Sequence, residues 1–180
     1  LMRSSAASDV YKRQIQHCDF EGNPSTDLFE SDYVNAVSDS EVINQYEPSQ
    51  NTTVLYTHYS FSLPNAQMRP LLSGNYLLTI STEDEEGNEV PVVKTYFGVV
   101  DQKVVIRPEC TTNTDVDWNS KHQQLSMQVD ASALTLRDAA KEIKTLVMQN
   151  RRFDNAAFNP SPTAVNGNTI IWEHTKQLLF

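Results

Sequence analysis

Apolar and polar residues alternate with period two over much of the chain, the pattern of strands that bury one face and wet the other. It is clearest from Val54 to Leu63. There Leu55, Thr57, Tyr59, Phe61 and Leu63 share one face, and Tyr56, His58, Ser60 and Ser62 share the other, so a half-buried strand is predicted. Further strands are predicted over Ile15–Cys18, Tyr76–Thr82, Val92–Val99, Lys103–Arg107, Gln124–Val129, Ile143–Gln149 and Thr169–His174. Short strands at this spacing, with turns between them, predict an all-β fold of the immunoglobulin-like β-sandwich kind. One complete sandwich followed by a second, partial one is expected. Helix is predicted only around Ser31–Ala36, where Ser31 offers a cap. Ala133–Lys144 has helical propensity but is flanked by strands, so a loop with a turn of helix is expected there.

The breaks between strands have local causes. Glu83 to Asn88 reads as a charged hairpin tip in which Gly87 and Asn88 tolerate positive φ. Asn166-Gly167-Asn168 carries a strong hairpin dipeptide just before Thr169-Ile170-Ile171-Trp172. Asn159-Pro160-Ser161-Pro162 is a loop, because each proline fixes φ and removes a donor. Ser73-Gly74-Asn75-Tyr76 places a glycine turn directly before a tyrosine entering a strand. That arrangement matches the corner tyrosine of immunoglobulin-like sandwiches, whose hydroxyl bonds back to upstream backbone, so Gly74 and Tyr76 are expected to form a structural corner. The domain boundary falls near Val100 to Gln102, giving sandwich domains over 15–101 and 102–180. Residues 1–14, which include Ser4-Ser5-Ala6-Ala7-Ser8-Asp9-Val10-Tyr11-Lys12-Arg13-Gln14, resemble translated sequencing-adapter sequence and are set aside as non-native. They also lack the apolar stretch of a secretory signal. The apolar final run Gln177-Leu178-Leu179-Phe180 has no turn signal, and a truncated C-terminus is expected.

Composition narrows the function. The chain has 180 residues, 39% hydrophobic and 21% charged, enough apolar material for a core in one or two domains. No run approaches the ~20 apolar residues of a membrane-spanning helix, so direct membrane insertion is not expected. A net charge of -9 argues against nucleic acid, whose binding rests on clustered Lys and Arg.

Catalytic and metal chemistry finds little support in the residues. His17, His58, His122 and His174 lack the spacing of zinc ligands. Asp115-Val116-Asp117-Trp118-Asn119 begins like a calcium loop, but Ser120 and Ser126 stand where an EF-hand needs Gly and Glu; an acidic turn with Trp118 packed at a domain junction is expected instead. Glu83 to Glu86 read as a solvated turn, not as a hydrolytic pair across a cleft. No nucleophile elbow, phosphate loop or dinucleotide fingerprint occurs. No catalytic, cofactor or metal residue is therefore assigned. Cys18 and Cys110 fall in what read as different domains, and a bridge needs Cα atoms within ~7 Å, so two buried free thiols are expected. Arg151-Arg152-Phe153-Asp154 is the cluster best suited to a partner contact, since Arg and aromatics anchor interfaces; the bland reading is a turn with Phe153 in the core and the arginines paired with acids.

The chain resembles the plug family of the type IX secretion system of Bacteroidota. The likeness runs from about Ile15 to Phe180 and is carried by Ile15-Gln16-His17-Cys18-Asp19, Tyr56-Thr57-His58-Tyr59, Leu63-Pro64-Asn65, Met68-Arg69-Pro70, Ser73-Gly74-Asn75-Tyr76, Thr114-Asp115-Val116-Asp117, Gln149-Asn150 and Arg152-Phe153-Asp154-Asn155. It departs after Asp19, where the family pattern leads to a tryptophan and this chain has Phe20. The resemblance implies a periplasmic protein associated with the outer membrane. Such a protein would block the periplasmic mouth of the outer-membrane translocon by protein contact, without catalysis or cofactor. A carbohydrate-binding or adhesion module of the cell envelope is the alternative, and it predicts aromatic residues exposed together. An isolated fragment with unpaired strand edges is expected to be marginally stable or to aggregate.

Overall fold

The computed structural model describes residues 10–38 and 40–180. Strand takes 43% of the chain and helix 6%, and among the described residues all strand pairing is antiparallel, so the fold is an all-β sandwich as the period-two pattern predicts. The contacts divide it into two compact units, residues 1–101 and 102–180.

The first unit contains β1 (Lys12–Cys18), α1 (Glu30–Tyr33), β2 (Val34–Ala36), β3 (Glu41–Val42), β4 (Gln45–Pro48), β5 (Thr57–Ser60), β6 (Met68–Pro70), β7 (Gly74–Glu83) and β8 (Glu89–Val99). A four-stranded sheet runs β3-β1-β7-β8, and β2-β6 and β4-β5 form separate ribbons. Register places Ile15 opposite Leu78 and His17 opposite Tyr76. Ile15, Tyr76 and Leu78 from the sheet then share one buried cluster with Tyr33, Val34 and Met68 from α1, β2 and β6. At ~25 cal/mol per Å² of apolar area removed from water, this cluster is the unit's main source of stability.

Tyr76 is fully buried, and its hydroxyl donates to the carbonyls of Leu72 (2.8 Å) and Tyr33 (3.1 Å). One phenolic proton is shared between the two, and it ties the turn before β7 to the end of α1. Gly74 makes the approach feasible. Its φ is +148°, and a Cβ there would sit 2.4 Å from His17 Nε2; His17 in turn meets the Tyr76 ring edge-on at 5.2 Å and bonds Ser25 Oγ at 2.8 Å.

Several elements differ from the sequence-based expectation. The strand predicted from Val54 to Leu63 is only Thr57–Ser60, and Val54 and Leu55 are exposed. Alternation continues through Phe61 and Leu63, which pack on the core, but no second strand pairs with them. Ile143–Gln149 contracts to Leu146–Val147, while Lys103–Arg107 moves on to Val105–Thr111. Helix α1 begins at Glu30, with the Phe29 amide donating to Asp32 Oδ2 at 2.9 Å, so Ser31 is not its cap. Of the segment set aside, residues 1–9 lie outside the described residues, whereas Lys12, Arg13 and Gln14 pair with Ser81, Ile80 and Thr79. Backbone pairing does not require particular side chains. Arg13 is 4% exposed in β1, its guanidinium lies 5.0 Å from the Phe61 ring centroid, and its Nε has no hydrogen-bond partner.

The second unit contains β9 (Val105–Thr111), β10 (Gln124–Asp130), α2 (Ala139–Glu142), β11 (Leu146–Val147), β12 (Ala157–Phe158), β13 (Ala164–Asn166) and β14 (Thr169–Trp172), then a 3-10 turn over Lys176–Leu178. Its sheet runs β13-β14-β10-β9. Met127, Val129, Ile170 and Trp172 from the sheet bury themselves against Ala139 of α2 and Leu178 of the 3-10 turn. Trp172 Nε1 donates to the Pro160 carbonyl at 2.8 Å, so the proline-rich loop supplies the acceptor that a buried indole needs. Gly167, at φ +61°, turns β13 into β14. Phe180 exchanges both backbone bonds with Gln123, which brings the last residues onto the start of β10.

Two outcomes test this core. Urea unfolding of the full chain should show Gly74→Ala destabilised by about 2–3 kcal/mol, from backbone strain and the His17 clash, and Tyr76→Phe by about 1–2 kcal/mol for the acceptors left unpaired; Gly74→Ala at parent stability would contradict the corner geometry. Arg13→Leu should raise stability by about 1 kcal/mol, because it removes a buried, poorly partnered charge at some loss of cation–π contact. A lower urea midpoint for Arg13→Leu would show that the guanidinium belongs there.

Candidate functional site

Two loops of the second unit combine exposed aromatic side chains with a fixed backbone. The first joins β11 to β12. Arg152 N donates to the Gln149 carbonyl at 3.0 Å, and the residues between, Asn150 and Arg151, have φ of 54° and 59°. Both central residues are left-handed, as in a type I′ turn, and that conformation is rare for a long side chain such as arginine. A second turn follows, closed by Ala156 N to Phe153 O at 3.3 Å. Arg152 then grips Asp154 in a two-pronged pair, Nε to Oδ1 at 2.9 Å and Nη2 to Oδ2. This pairing holds the Asp154 carboxyl below its ordinary range. Phe153 is 68% exposed. The loop is therefore a hybrid of the two sequence readings: one arginine is paired with an acid, while the aromatic stands in water.

The second loop joins β9 to β10. Thr114 organises it, its Oγ1 accepting from Asp117 N at 2.9 Å and bonding the Asp117 carboxylate at 3.0 Å, while Thr114 N donates to the Asp117 carbonyl at 2.8 Å. Asp117 Oδ2 also receives His122 Nδ1 at 2.8 Å and Lys121 N at 3.1 Å. Asp115 is held from three sides. Its amide donates to Gln124 Oε1 at 2.8 Å, Gln124 Nε2 donates back to Oδ2 at 2.6 Å, and His174 Nδ1 bonds Oδ1 at 2.6 Å. These bonds lower both carboxyls, Asp115 mainly through Gln124 and then His174, Asp117 mainly through His122.

With the turn closed by polar groups, Trp118 is 75% exposed and Val116 63%. The expected packing of Trp118 at a junction is thus corrected: the ring is not needed to close the loop. The two loops meet at their bases, where Gln149 Nε2 donates to Gln123 Oε1 at 3.0 Å.

The remaining sequence candidates fall elsewhere. Gly74 and Tyr76 lie inside the first unit, away from solvent contact by Tyr76. Asp84 Oδ1 accepts the amides of Glu86 (3.0 Å) and Asn88 (2.7 Å), so the acidic run builds its own turn. Cys18 and Cys110 are free thiols, but only Cys18 is buried; Cys110 sits on edge strand β9, exposed along its whole length. Among the described residues no three His, Cys, Asp or Glu side chains converge as a metal site. No helix among them is long and apolar enough to cross a membrane. Sequence reasoning missed the Asp115–His174 and Gln123–Gln149 links, for which sequence offers no local signal. Thr114 followed three residues later by Asp117 was a readable turn signal.

The Asp115–His174 link carries a pH dependence. Asp115 raises the His174 pKa above its ordinary 6.5, so this contribution is fully present below 6.5 and is lost as pH rises through the higher folded value. The lowered Asp115 pKa acts in reverse, its contribution being present above the ordinary 3.8 and lost as pH falls through the folded value. NMR titration should find the His174 midpoint above 6.5 in the parent and returned toward it in Asp115→Asn; an unchanged midpoint would show that the link is not formed in solution.

Comparison with known proteins agrees with this architecture. A family model for the first domain of the type 9 secretion system plug protein matches residues 3–101. A crystal structure of a hypothetical protein from Parabacteroides merdae superposes with a TM-score of 0.85 at 28% identity, over 96% of this chain and 42% of that one. The chain thus spans less than half the length of that solved relative. No curated protein matches. With more than half of its residues under the family model, the chain belongs to the type 9 secretion system plug protein family.

Proposed function

We propose that this chain acts as part of a plug that closes the periplasmic mouth of the type IX secretion translocon in the outer membrane. The observation that carries this reading is the plug-domain match over residues 3–101. The work is steric: a stiff body held in a pore by a broad contact, with no bond made or broken. A sandwich supplies stiffness, and its end loops supply shape. Partner contact is assigned to Arg151, Arg152, Phe153 and Asp154, because the loop holds an exposed aromatic beside guanidinium groups in a fixed, strained conformation, and strain of about 1–3 kcal/mol persists where geometry matters. Specific association of this kind buries at least ~1,000 Å² in total, so these four residues form one part of a larger contact.

A carbohydrate-binding module is the second reading, and one feature favours it. Tyr46 and Tyr56 are exposed and border a concavity of about 470 Å³ with Glu47 and His58 on the β4–β5 ribbon. Aromatic rings beside a carboxylate suit a sugar.

Co-purification separates the two. A tagged full-length parent protein should accompany the translocon from detergent-extracted outer membranes, and Phe153→Ala should weaken that association by about tenfold or more, as loss of an interface anchor does. A parent that never accompanies the translocon, yet binds a glycan array in a Tyr56-dependent way, would replace the plug reading with the carbohydrate one.

A further inference from the structure

We propose that Val116 and Trp118 form a second anchor beside Phe153, and that the two loops together dock on a protein surface bearing an apolar recess rimmed by carboxylates. This rests on the plug reading, which makes the translocon the bearer of that surface.

Of the two tryptophans, Trp172 is buried and Trp118 stands in water. Most of its surface is exposed, as is most of Val116, while Thr114, Asp115 and Asp117 close the loop beneath them with at least seven hydrogen bonds to Gln124, His174, His122, Lys121 and each other. A rigidly mounted aromatic loses little conformational entropy when buried by a partner, and tryptophan is among the residues most enriched at binding hot spots. The Gln149–Gln123 bond fixes the base of this loop against that of the Phe153 loop, so the two aromatics belong to one end of the unit.

Charge defines the occupant further. Asp115, Asp117 and Asp154 are each engaged by a cation or histidine on this chain. Lys121 and Arg151, on the same two loops, have no ion pair among the described residues. These two cationic heads stand on the same loops as the exposed apolar side chains and favour a recess whose rim carries carboxylates. A bilayer would also take up tryptophan and arginine, but it needs no fixed loop geometry. The left-handed Asn150-Arg151 pair and the braced Thr114–Asp117 turn point to recognition by shape.

The test measures binding of the full-length parent protein to the detergent-solubilised translocon, with Trp118→Ala, Val116→Ser and Arg151→Glu compared against Leu55→Ser, an exposed change in the other unit. Trp118→Ala is expected to weaken binding by about tenfold or more, Val116→Ser and Arg151→Glu to weaken it less, and Leu55→Ser to leave it unchanged. Hydroxyl-radical footprinting read by mass spectrometry at Trp118 should find the ring oxidised in the free parent and protected when the translocon is added. Trp118→Ala binding within about twofold of the parent, with Trp118 labelling unaltered and Phe153→Ala still impaired, overturns this inference and leaves the plug reading standing. A parent that does not bind at all overturns both. Protection of Trp118 by phosphatidylethanolamine–phosphatidylglycerol vesicles without translocon assigns the anchor to lipid and overturns the protein occupant.

Discussion

The shared hydroxyl proton of Tyr76 is the constraint around which the first unit is organised. Its two acceptors, the carbonyls of Leu72 and Tyr33, belong to the turn before β7 and to the end of α1, and the ring contacts His17, Tyr33 and Phe97. A phenol buried without partners would cost about 1–3 kcal/mol of what its ring contributes. Paired as it is, the same group fixes how α1 and the turn before β7 meet the sheet. Gly74 follows from that constraint, because the close approach of His17 leaves no room for a side chain. What results is a unit whose layers are held by a directional bond as well as by burial, which is the mechanical property the proposed plug role requires.

The second unit solves a different problem. Its core is apolar, with a buried indole satisfied by the Pro160 carbonyl, and its polar groups are gathered at one end, where they stiffen two loops. Asp115, Asp117 and Asp154 look at first like material for catalysis or calcium. Each instead has its lone pairs taken up by neighbours on the same chain, and their lowered pKa values report that engagement. Carboxylates used as struts leave the aromatic side chains free to face outward.

Much of the fold was legible in the sequence because period-two alternation and turn chemistry are local. The long strands β7, β8 and β10 and the Gly167 turn carried their own signals, and so did Tyr76 after Gly74. Short strands such as β2, β3 and β6 did not, since two or three residues cannot show a period and their existence depends on distant partners. Val54–Leu63 misled for the same reason: alternation predicts a wet and a dry face, but a strand also needs a neighbour to pair with. Arg13 is the opposite case, a residue occupying a buried strand position that its chemistry does not suit. At the candidate site, the residue types of the Arg151–Asp154 loop were readable, whereas the exposure of Trp118 was not. The loop beneath it is held in part by His174 bonding Asp115, a contact sequence spacing cannot express.

If this chain seals by filling space, the effect must appear in the pore itself. Ion conductance of the purified translocon in a planar bilayer should drop when the full-length parent protein is added to its periplasmic side, and should recover when the protein is washed away. A translocon that binds the protein and conducts undiminished would contradict occlusion.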